Sequence, residues 1–230
     1  MRKNGIVIAL DGPAGAGKST VGKAVASAVG YKFVSTGKMY RALAWKALQT
    51  STPLDDERKL LDLADSMKWT FPKGEGPEAD VALDGRVLRN ELIVNEVSKA
   101  SSTIAMLPGI RALMKIMQQK AGEDGGVVME GRDIGTNIFP DAELKIFLDA
   151  SAEARAERRV SQLKKQGLEA NYDEILSFIK KRDEQDSTRK INPLKKADDA
   201  IYLDSTKINQ EEAVKKIVEY YSNVIDGSKQ

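Results

Sequence analysis

The chain has no histidine and no cysteine among its 230 residues. These two absences exclude a Ser-His-Asp triad, a thiol nucleophile, a disulfide bond, a zinc site built from Cys and His, and a histidine pH switch. Any catalysis therefore depends on carboxylates, lysine, arginine, hydroxyl groups, backbone amides or hard metal ions. The lack of cysteine also fits a protein of a reducing compartment.

An excess of charge of one sign and long hydrophobic runs are also absent. Lys and Arg total 36 and Asp and Glu total 34, so the formal net charge is +2, whereas a protein that coats nucleic acid carries a basic excess. No apolar run approaches the roughly 18 residues of a membrane helix. The run at residues 6–10 is too short for a signal peptide and lacks a cleavage site. We expect a cytoplasmic monomer that binds neither nucleic acid nor membranes.

Short apolar runs alternate with stretches of helical spacing along most of the chain. Because this alternation is typical of a parallel sheet with helices on both faces, we predict an α/β fold. The predicted strands are residues 6–10, 32–35, 127–129, 144–148 and 201–203. The principal helical stretches are residues 21–29, 39–48, 91–106 and 110–120.

Residues 68–88 interrupt the alternation of strands and helices. Within them, residues 69–71 are predicted to form a strand and residues 72–80 a loop. Residues 81–88 are predicted to form a hairpin that turns at Asp84-Gly85, a dipeptide that suits a two-residue turn. A hairpin inside an α/β alternation indicates a small inserted subdomain.

Helix starts are indicated by capping residues. Thr52 is predicted to cap a helix that has Pro53 at its first position, and Ser151 to cap a long helix that reaches Gln166. Two further pairs have the spacing of a capping box: Asn171 with Glu174, and Asn209 with Glu212.

A glycine-rich loop follows the first predicted strand. It matches the pattern G-x-x-x-x-G-K-[ST] at every fixed position and lies between an apolar strand and a helix. Its residues are Gly12, Pro13, Ala14, Gly15, Ala16, Gly17, Lys18 and Ser19. We expect its backbone N–H groups to surround phosphate oxygens, Lys18 to bridge the β- and γ-phosphates, and Ser19 to hold Mg²⁺. The sequence has no N-K-x-D segment for guanine recognition, so a small-molecule kinase is the broad option that remains.

Arginine residues recur in the later part of the chain, as required of a kinase that brings two polyanions together. Arg41 lies near a predicted helix start, where an anion site can form. Arg132 and Asp133 follow the strand 127–129, and ligands collect at the carboxyl ends of strands in open α/β sheets. The alternatives are a solvated helix face for Arg41 and an ion pair between Arg132 and Asp133.

Two more groups of charged residues share a face by helical spacing. The first, at positions i, i+3 and i+4, is Arg155, Arg158 and Arg159. It is expected to cover ATP phosphates from a mobile lid, or to form a solvated basic stripe. The second, at positions i, i+4 and i+7 of one predicted helix, is Arg182, Asp186 and Arg189. Arginine forks bind phosphate and Asp accepts from sugar hydroxyls, while a self-paired surface ladder is the alternative.

Together these features resemble the bacterial cytidylate kinase family along nearly the whole chain, from the P-loop to Asp204. The Gly-Arg-Asp-x-Gly-Thr run and the second arginine group are the most specific features. The matching segments are residues 11–19, 36–37 with 40–41, 130–136, 139–142, 145–150, and 182–189 with 193–194. Thr36 stands where the family commonly has Ser, a difference that we expect to cost little.

The resemblance implies a P-loop three-layer α/β fold with a parallel central sheet. It adds an inserted small β/α monophosphate-binding subdomain and a short helical lid. The implied arrangement is one kinase domain over residues 1–230, with its core at 1–67, 107–154 and 190–230, the insert at 68–106 and the lid at 155–172.

The resemblance also implies roles for individual residues. Ser102, Arg111 and Asp133 would recognise cytosine, which offers an amino donor and the N3 and O2 acceptors. Arg182 and Asp186 would contact the ribose. The monophosphate would be surrounded by Thr36, Tyr40, Arg41, Arg132 and Arg189. ATP would be held by residues 12–19 with Thr20, and by Arg155, Arg158 and Arg159. The catalytic residues would be Lys18, Arg132, Arg158 and Arg189.

The activity implied by the resemblance is phosphoryl transfer from ATP·Mg²⁺ to CMP or dCMP, with Ser19 as a ligand of Mg²⁺. Two other functions stay open. The nearer is a P-loop kinase that acts on UMP, AMP or another small acceptor. The more distant is a regulatory P-loop protein that binds nucleotide and a protein partner without turnover.

Overall fold

Strands and helices alternate along the part of the chain that the structure, a computed structural model, describes: residues 2–72, 76–165, 167 and 169–227. The strands are β1 Val7–Asp11, β2 Lys32–Ser35, β3 Trp69–Thr70, β4 Val81–Leu83, β5 Arg86–Leu88, β6 Val127–Gly131, β7 Leu144–Asp149 and β8 Ile201–Asp204. The α-helices are α1 Lys18–Val29, α2 Thr36–Gln49, α3 Glu57–Ser66, α4 Asn95–Ile104, α5 Pro108–Gly122, α6 Ala152–Lys165, α7 Tyr172–Thr188 and α8 Gln210–Gly227. Parts of three predicted segments lie outside the described residues: 73–75 of the loop, Gln166 of the long helix, and Leu168 of the lid.

The central sheet has five parallel strands in the order β2-β6-β1-β7-β8. β1 lies in the middle, pairs with β6 and β7, and is buried along its whole length. One apolar core separates the sheet from α1 and α8, and another covers the opposite face. Burial on both faces explains why these strands are short, continuous apolar runs. The predicted α/β fold with a parallel central sheet is confirmed.

The turn from β1 into α1 brings the glycine-rich loop to the carboxyl end of the sheet. Gly12 has φ +147°, and a Cβ there would lie 1.9 Å from the Leu148 carbonyl oxygen of β7. Because any side chain would collide with that backbone, glycine is required at this position. α1 begins at Lys18, earlier than predicted, and ends at Gly30 in the left-handed conformation, as expected of a helix C-terminus.

The predicted insert contains a three-stranded antiparallel sheet in the order β3-β4-β5. Its hairpin turns at Asp84 and Gly85, with φ values of 53° and 82°, as a type I′ turn requires. The continuous helix predicted after the hairpin is wrong. A 3₁₀ turn, Asn90–Ile93, precedes α4, and Val94 between them is extended. Two adjacent β-branched residues disfavour an unbroken helix there.

The insert shares its apolar core with the helices around it. Met39 and Leu43 of α2 lie in one buried cluster with Leu88 of β5 and Ile104 of α4. At the edge of the central sheet, Phe33 of β2 exchanges backbone hydrogen bonds with Pro77 and Ala79 of the insert. The insert therefore packs against the surrounding helices and also bonds to the edge of the central sheet. Its boundaries at 68–106 stay a prediction.

Helix caps follow the sequence prediction in three places. The Ser151 hydroxyl accepts a hydrogen bond from the Ala154 N–H at the start of α6. Asn171 accepts from two N–H groups in the first turn of α7, and Asn209 forms a reciprocal capping box with Glu212.

The cap predicted at Thr52 is wrong, because α3 begins five residues later. The Asp56 carboxylate accepts from the Lys59 N–H and caps α3, since Asp ranks above Thr as an N-cap residue. The Thr52 N–H instead donates to the Ala47 carbonyl and closes the end of α2. None of the described helices is long and apolar enough to cross a membrane.

Candidate active site

The Lys18 ammonium folds back onto the glycine-rich loop. Its Nζ donates to the carbonyl oxygens of Gly12 at 2.8 Å and Pro13 at 2.7 Å, and the residue is only 4% exposed. Burial, and then the positive charge of Arg132, lower the pKa of Lys18 to about 7. An anion beside the ammonium would favour its charged form. The loop therefore holds a cation that phosphate would stabilise.

Three oxygen-bearing side chains meet beside this loop. The hydroxyls of Ser19 and Ser35 donate to the same Glu130 carboxylate oxygen, at 2.9 Å and 2.6 Å. Carboxylate and hydroxyl oxygens fit Mg²⁺, which takes hard oxygen ligands and keeps several waters or phosphate oxygens. Sequence reasoning assigned no role to Glu130. Its place at the carboxyl end of the strand beside β1 is the signal that could have identified it.

Asp133, at the other side of the cleft, is the centre of a buried polar cluster. Its carboxylate accepts from Arg111 at 2.7 Å, from Asn137 at 2.9 Å and from Arg189 at 3.2 Å. Arg111 is buried at 6% exposure, so the helix spacing that would make it a solvated helix start is misleading. Its Nε is buried and has no hydrogen-bond partner among the described residues.

Arg132 and Asp133 do not pair with each other. The Nε of Arg132 donates to Asp186 at 2.8 Å, and both side chains are about one-fifth exposed, at 20% and 18%. The alternative of a local ion pair within the loop is therefore wrong. Asp186 thus pairs with an arginine of another element. The alternative, in which Asp186 pairs only with arginines of its own helix, does not describe this residue.

The positive charge of Arg182, one turn before Asp186, is only partly balanced by the carboxylates near it. Burial and the nearby charge of Arg132 lower its pKa to about 10. Its buried Nε finds no acceptor within the described part of the chain. An unpaired buried donor typically costs about 1–3 kcal/mol, which a ligand acceptor would remove.

Arg189 does not lie on the helix that carries Arg182 and Asp186. α7 ends at Thr188, and Arg189 is extended with ψ 141°. The expectation of one helical face for all three residues is therefore wrong for Arg189. Beyond α7 the chain folds back, since the Leu194 N–H donates to the Asp186 carbonyl. Arg189 still reaches the cluster, because its Nη2 lies 3.2 Å from Asp133.

The remaining predicted acceptor residues lie on α2 and α4. The Thr36 hydroxyl donates to the Glu130 carbonyl at 2.9 Å. Burial lowers the pKa of Arg41 and raises that of Tyr40. The Ser102 hydroxyl donates to the Ser98 carbonyl of its own helix. Its oxygen can still accept a hydrogen bond, so its predicted contact with a base stays a prediction.

Comparison with known proteins identifies the family to which the chain belongs. The family model described as cytidylate kinase matches residues 8–223. The chain belongs to the cytidylate kinase family.

Curated relatives agree with this assignment. A cytidylate kinase from Caldicellulosiruptor bescii is 42% identical over 96% of this chain and 97% of its own length. One from Bacillus cereus is 43% identical over 95% of this chain and 97% of its own. A bifunctional pantoate ligase/cytidylate kinase from Synechococcus is 44% identical over 96% of this chain, which spans 42% of that longer protein.

The predicted lid arginines of this cytidylate kinase family member have three different environments. Arg155 is buried and donates to the Ala14 carbonyl of the P-loop at 3.0 Å and to both oxygens of Asp183 at 2.9 Å and 2.5 Å. Arg158 is exposed and bonds Ser205 after β8, and Arg159 is half-buried and bonds Gln162. Arg155 is therefore fixed between the P-loop and α7, whereas the expected coverage of ATP by the three arginines stays a prediction.

Proposed function

We propose that the protein transfers the γ-phosphoryl group of ATP to CMP or dCMP, giving ADP and CDP or dCDP. The observation that carries this proposal is the cluster around Asp133 and Asp186. Two of its arginines, Arg111 and Arg182, each keep a buried Nε without a partner in the described chain. Buried polar groups in native proteins are nearly always paired, so these donors support a ligand that brings acceptors.

Cytosine complements the Asp133 side of this cluster. Its amino group is a donor for the Asp133 carboxylate, and its N3 and O2 are acceptors for Arg111, with Ser102 as a further contact. Uracil would place a carbonyl oxygen against the carboxylate, so that two acceptors would face each other without a proton between them. A site built to pair a buried polar group rejects an analogue that lacks the partner, and we therefore assign base selectivity to these residues.

The ribose and the phosphate of the acceptor nucleotide would lie along the charged residues that lead away from the base site. Arg182 and Asp186 would bind the ribose, where Asp accepts from hydroxyl groups. The monophosphate would lie among Thr36, Tyr40, Arg41, Arg132 and Arg189. Several positive charges held together are costly without an anion, and the lowered pKa values of Arg41, Arg182 and Arg189, due first to burial, reflect that cost.

The donor would occupy the opposite side, on the P-loop. Its glycines and the start of α1 offer backbone N–H groups to phosphate oxygens, and Lys18 would turn from its two carbonyl partners to the β- and γ-phosphates. Ser19 and Thr20 are exposed on the first turn of α1. Arg158 and Arg159 would approach from the lid, while Arg155 would act on the donor through the position of the P-loop.

Mg²⁺ would be held by Ser19 with Glu130 beside it, and when bound it would neutralise charge on the transferring phosphate. The protein's own residues supply the remaining effects. Lys18, Arg132 and Arg189 orient the two nucleotides and stabilise charge on the phosphoryl oxygens. The attacking CMP phosphate is already anionic, so a chain without histidine needs no strong general base.

Binding titrations test the assignment of the base. CMP and dCMP should bind at least tenfold more tightly than UMP and AMP, because uracil lacks the amino donor for Asp133, and adenine lacks the O2 acceptor for Arg111 and is larger. Equal binding of CMP and UMP would remove the support for base recognition at Asp133. We further assign residues 68–106 to acceptor binding and 155–172 to the lid of a single kinase domain.

A further inference from the structure

Asp11 is a buried carboxylate that lies outside the proposed nucleotide contacts. It is the last residue of β1, directly before the P-loop, and it is 6% exposed. Its Oδ1 accepts a hydrogen bond from the Ile134 N–H at 2.8 Å, and its Oδ2 accepts one from the Gly135 N–H at 2.7 Å. These partners lie more than 120 positions away in sequence and directly follow Asp133.

The two N–H groups belong to the start of a π-helical turn, Ile134–Ile138. Backbone donors at the start of a helical turn have no partner within it, so they need an outside acceptor. An ionised carboxylate suits two parallel N–H groups, because charge-assisted bonds are stronger than neutral ones. Asp11 therefore fixes the backbone immediately after Asp133.

Asp133 is consequently held from two directions. Its following peptides are held by Asp11, and its carboxylate is held by Arg111 at 2.7 Å. Misplacement of a positioning contact by about 1 Å can cost 10²-fold in rate. The geometry of the base-recognising carboxylate thus depends on a residue of the strand that leads into the P-loop.

The space around this contact leaves little freedom for the loop. A Cβ at Gly135 would lie 3.1 Å from Lys145 Cδ and 3.5 Å from Asp11 Oδ2. Lys145 itself is held by Asp199 at 2.7 Å and by the Pro140 carbonyl at 2.5 Å. Glycine thus permits the close approach, and the lysine stem packs behind it.

The Asp11 carboxylate lies in an environment that opposes its ionisation. Burial is the main reason that its pKa is raised to about 6, although the hydrogen bonds from the Gly135 and Ile134 N–H groups oppose the shift. The nearby charge of Asp133 adds to the rise and that of Lys18 opposes it. A group whose charged form is disfavoured in the folded chain does not maximise stability. A buried carboxylate with such a shifted pKa is more typical of a functional site.

We propose that Asp11 is a positioning residue that holds the Asp133 loop against the P-loop strand and so sets selectivity for the acceptor base. This inference rests on the proposed function for its kinetic readout. No contact with either nucleotide is assigned to Asp11 itself.

The test compares Asp11→Asn with Glu143→Gln. Asn keeps the size of the side chain but offers one acceptor oxygen, and its NH₂ group meets the second N–H. Glu143 is a matched control, because its carboxylate accepts from the Val7 N–H at 2.9 Å at the other end of β1. Glu143→Gln should behave as wild type in every kinetic measurement below.

In Asp11→Asn, we expect the KM of CMP to rise roughly tenfold or more, as for a lost charge-assisted hydrogen bond. The KM of ATP should change less than about threefold, and the ratio of kcat/KM for CMP over UMP should fall roughly tenfold. A purely structural role would lower the active fraction and leave both KM values and the ratio unchanged. That result would overturn the proposal.

Hydrogen exchange separates this proposal from the proposed function. Amides 134 and 135 should exchange faster in Asp11→Asn than in wild type and Glu143→Gln, whichever acceptor the enzyme uses. Unchanged exchange would refute the positioning contact, whereas a wild-type enzyme inactive on CMP would refute the function. If Asp11→Asn does not fold, Gly135→Ala crowds the same contact against the Lys145 side chain and should lower the CMP/UMP ratio. An unaltered ratio would count against the proposal.

Discussion

Arg111 Nη2 lies 2.7 Å from Asp133 Oδ2, and the two side chains are only 5% and 10% exposed. The partners come from different elements, α5 and the loop after β6. A buried ion pair of this kind adds little net stability, but removal of one partner leaves the other buried and unpaired. The pair therefore keeps a carboxylate and a guanidinium in fixed orientation at the site that we assign to the base.

Asp133→Ala should harm CMP use much more than ATP binding. We expect kcat/KM for CMP to fall by roughly 10²-fold or more, because the amino group of cytosine loses its acceptor. The dissociation constant of ATP should stay within about threefold of wild type, since no P-loop contact is lost. Steady-state kinetics with varied CMP and a separate ATP titration measure the two effects.

Glu143→Ala is the control for Asp133→Ala, because it also removes a partly buried carboxylate that pairs with an arginine, Arg2, at 2.6 Å. It should lower the melting temperature without a preferential effect on CMP. If Asp133→Ala lowers CMP and ATP affinity equally, general misfolding explains the loss and base recognition does not.

Lys18→Ala should lower kcat by about two orders of magnitude or more, because it removes the cation that stabilises charge on the transferring phosphate. Lys46→Ala should retain normal turnover, since Lys46 pairs with Asp84 at the hairpin, at 3.4 Å. A coupled assay for ADP measures both. Near-normal turnover of Lys18→Ala would refute its assigned role.

Asp183→Asn tests how Arg155 acts. Arg155 joins Asp183 to the Ala14 carbonyl of the P-loop, so loss of the Asp183 charge should loosen the loop and raise the KM of ATP severalfold. Glu153→Gln is the control, because Glu153 forms an exposed pair with Lys180 that also joins α6 to α7, and it should leave this KM unchanged. If both variants bind ATP as wild type does, Arg155 does not act through the position of the P-loop.

The titration of Asp11 should appear in the pH dependence of stability. The ordinary pKa of an aspartate is 3.8, and that of Asp11 in the folded chain is about 6, so between these two pH values the folded state binds more protons. The free energy of unfolding contributed by this group must then fall as pH rises. The difference between wild type and Asp11→Asn should shift by about 2 kcal/mol against wild type from pH 4 to pH 7. Urea unfolding across this range measures the shift, and a constant difference would contradict the raised pKa.

Features determined by local sequence were predicted well. β1 and the P-loop are a short apolar run and a fixed glycine pattern, and both follow from the backbone requirements of the turn. The caps at Ser151 and Asn209 were predictable for the same reason, because each bonds a neighbour within four residues. At Thr52 the local rule failed where a better acceptor, Asp56, lay nearby.

Contacts between distant elements were beyond such reasoning. Helical spacing placed Arg155 on one face with Arg158 and Arg159, but the partner that buries Arg155 is Asp183, on the next helix. Spacing likewise assigned Arg189 to a helix that ends before it. The resemblance identified Arg111, whose spacing alone suggested solvent. Side-chain periodicity indicates a shared face but not what covers that face.

The most direct test of the central claim is ADP production from ATP with CMP, dCMP, UMP and AMP supplied in turn at equal concentrations. The account predicts that CMP and dCMP give values of kcat/KM at least tenfold above those of UMP and AMP, and that little ADP forms without an acceptor. Greater turnover with UMP, AMP or a non-nucleotide acceptor, or nucleotide binding without turnover on any of them, would contradict it.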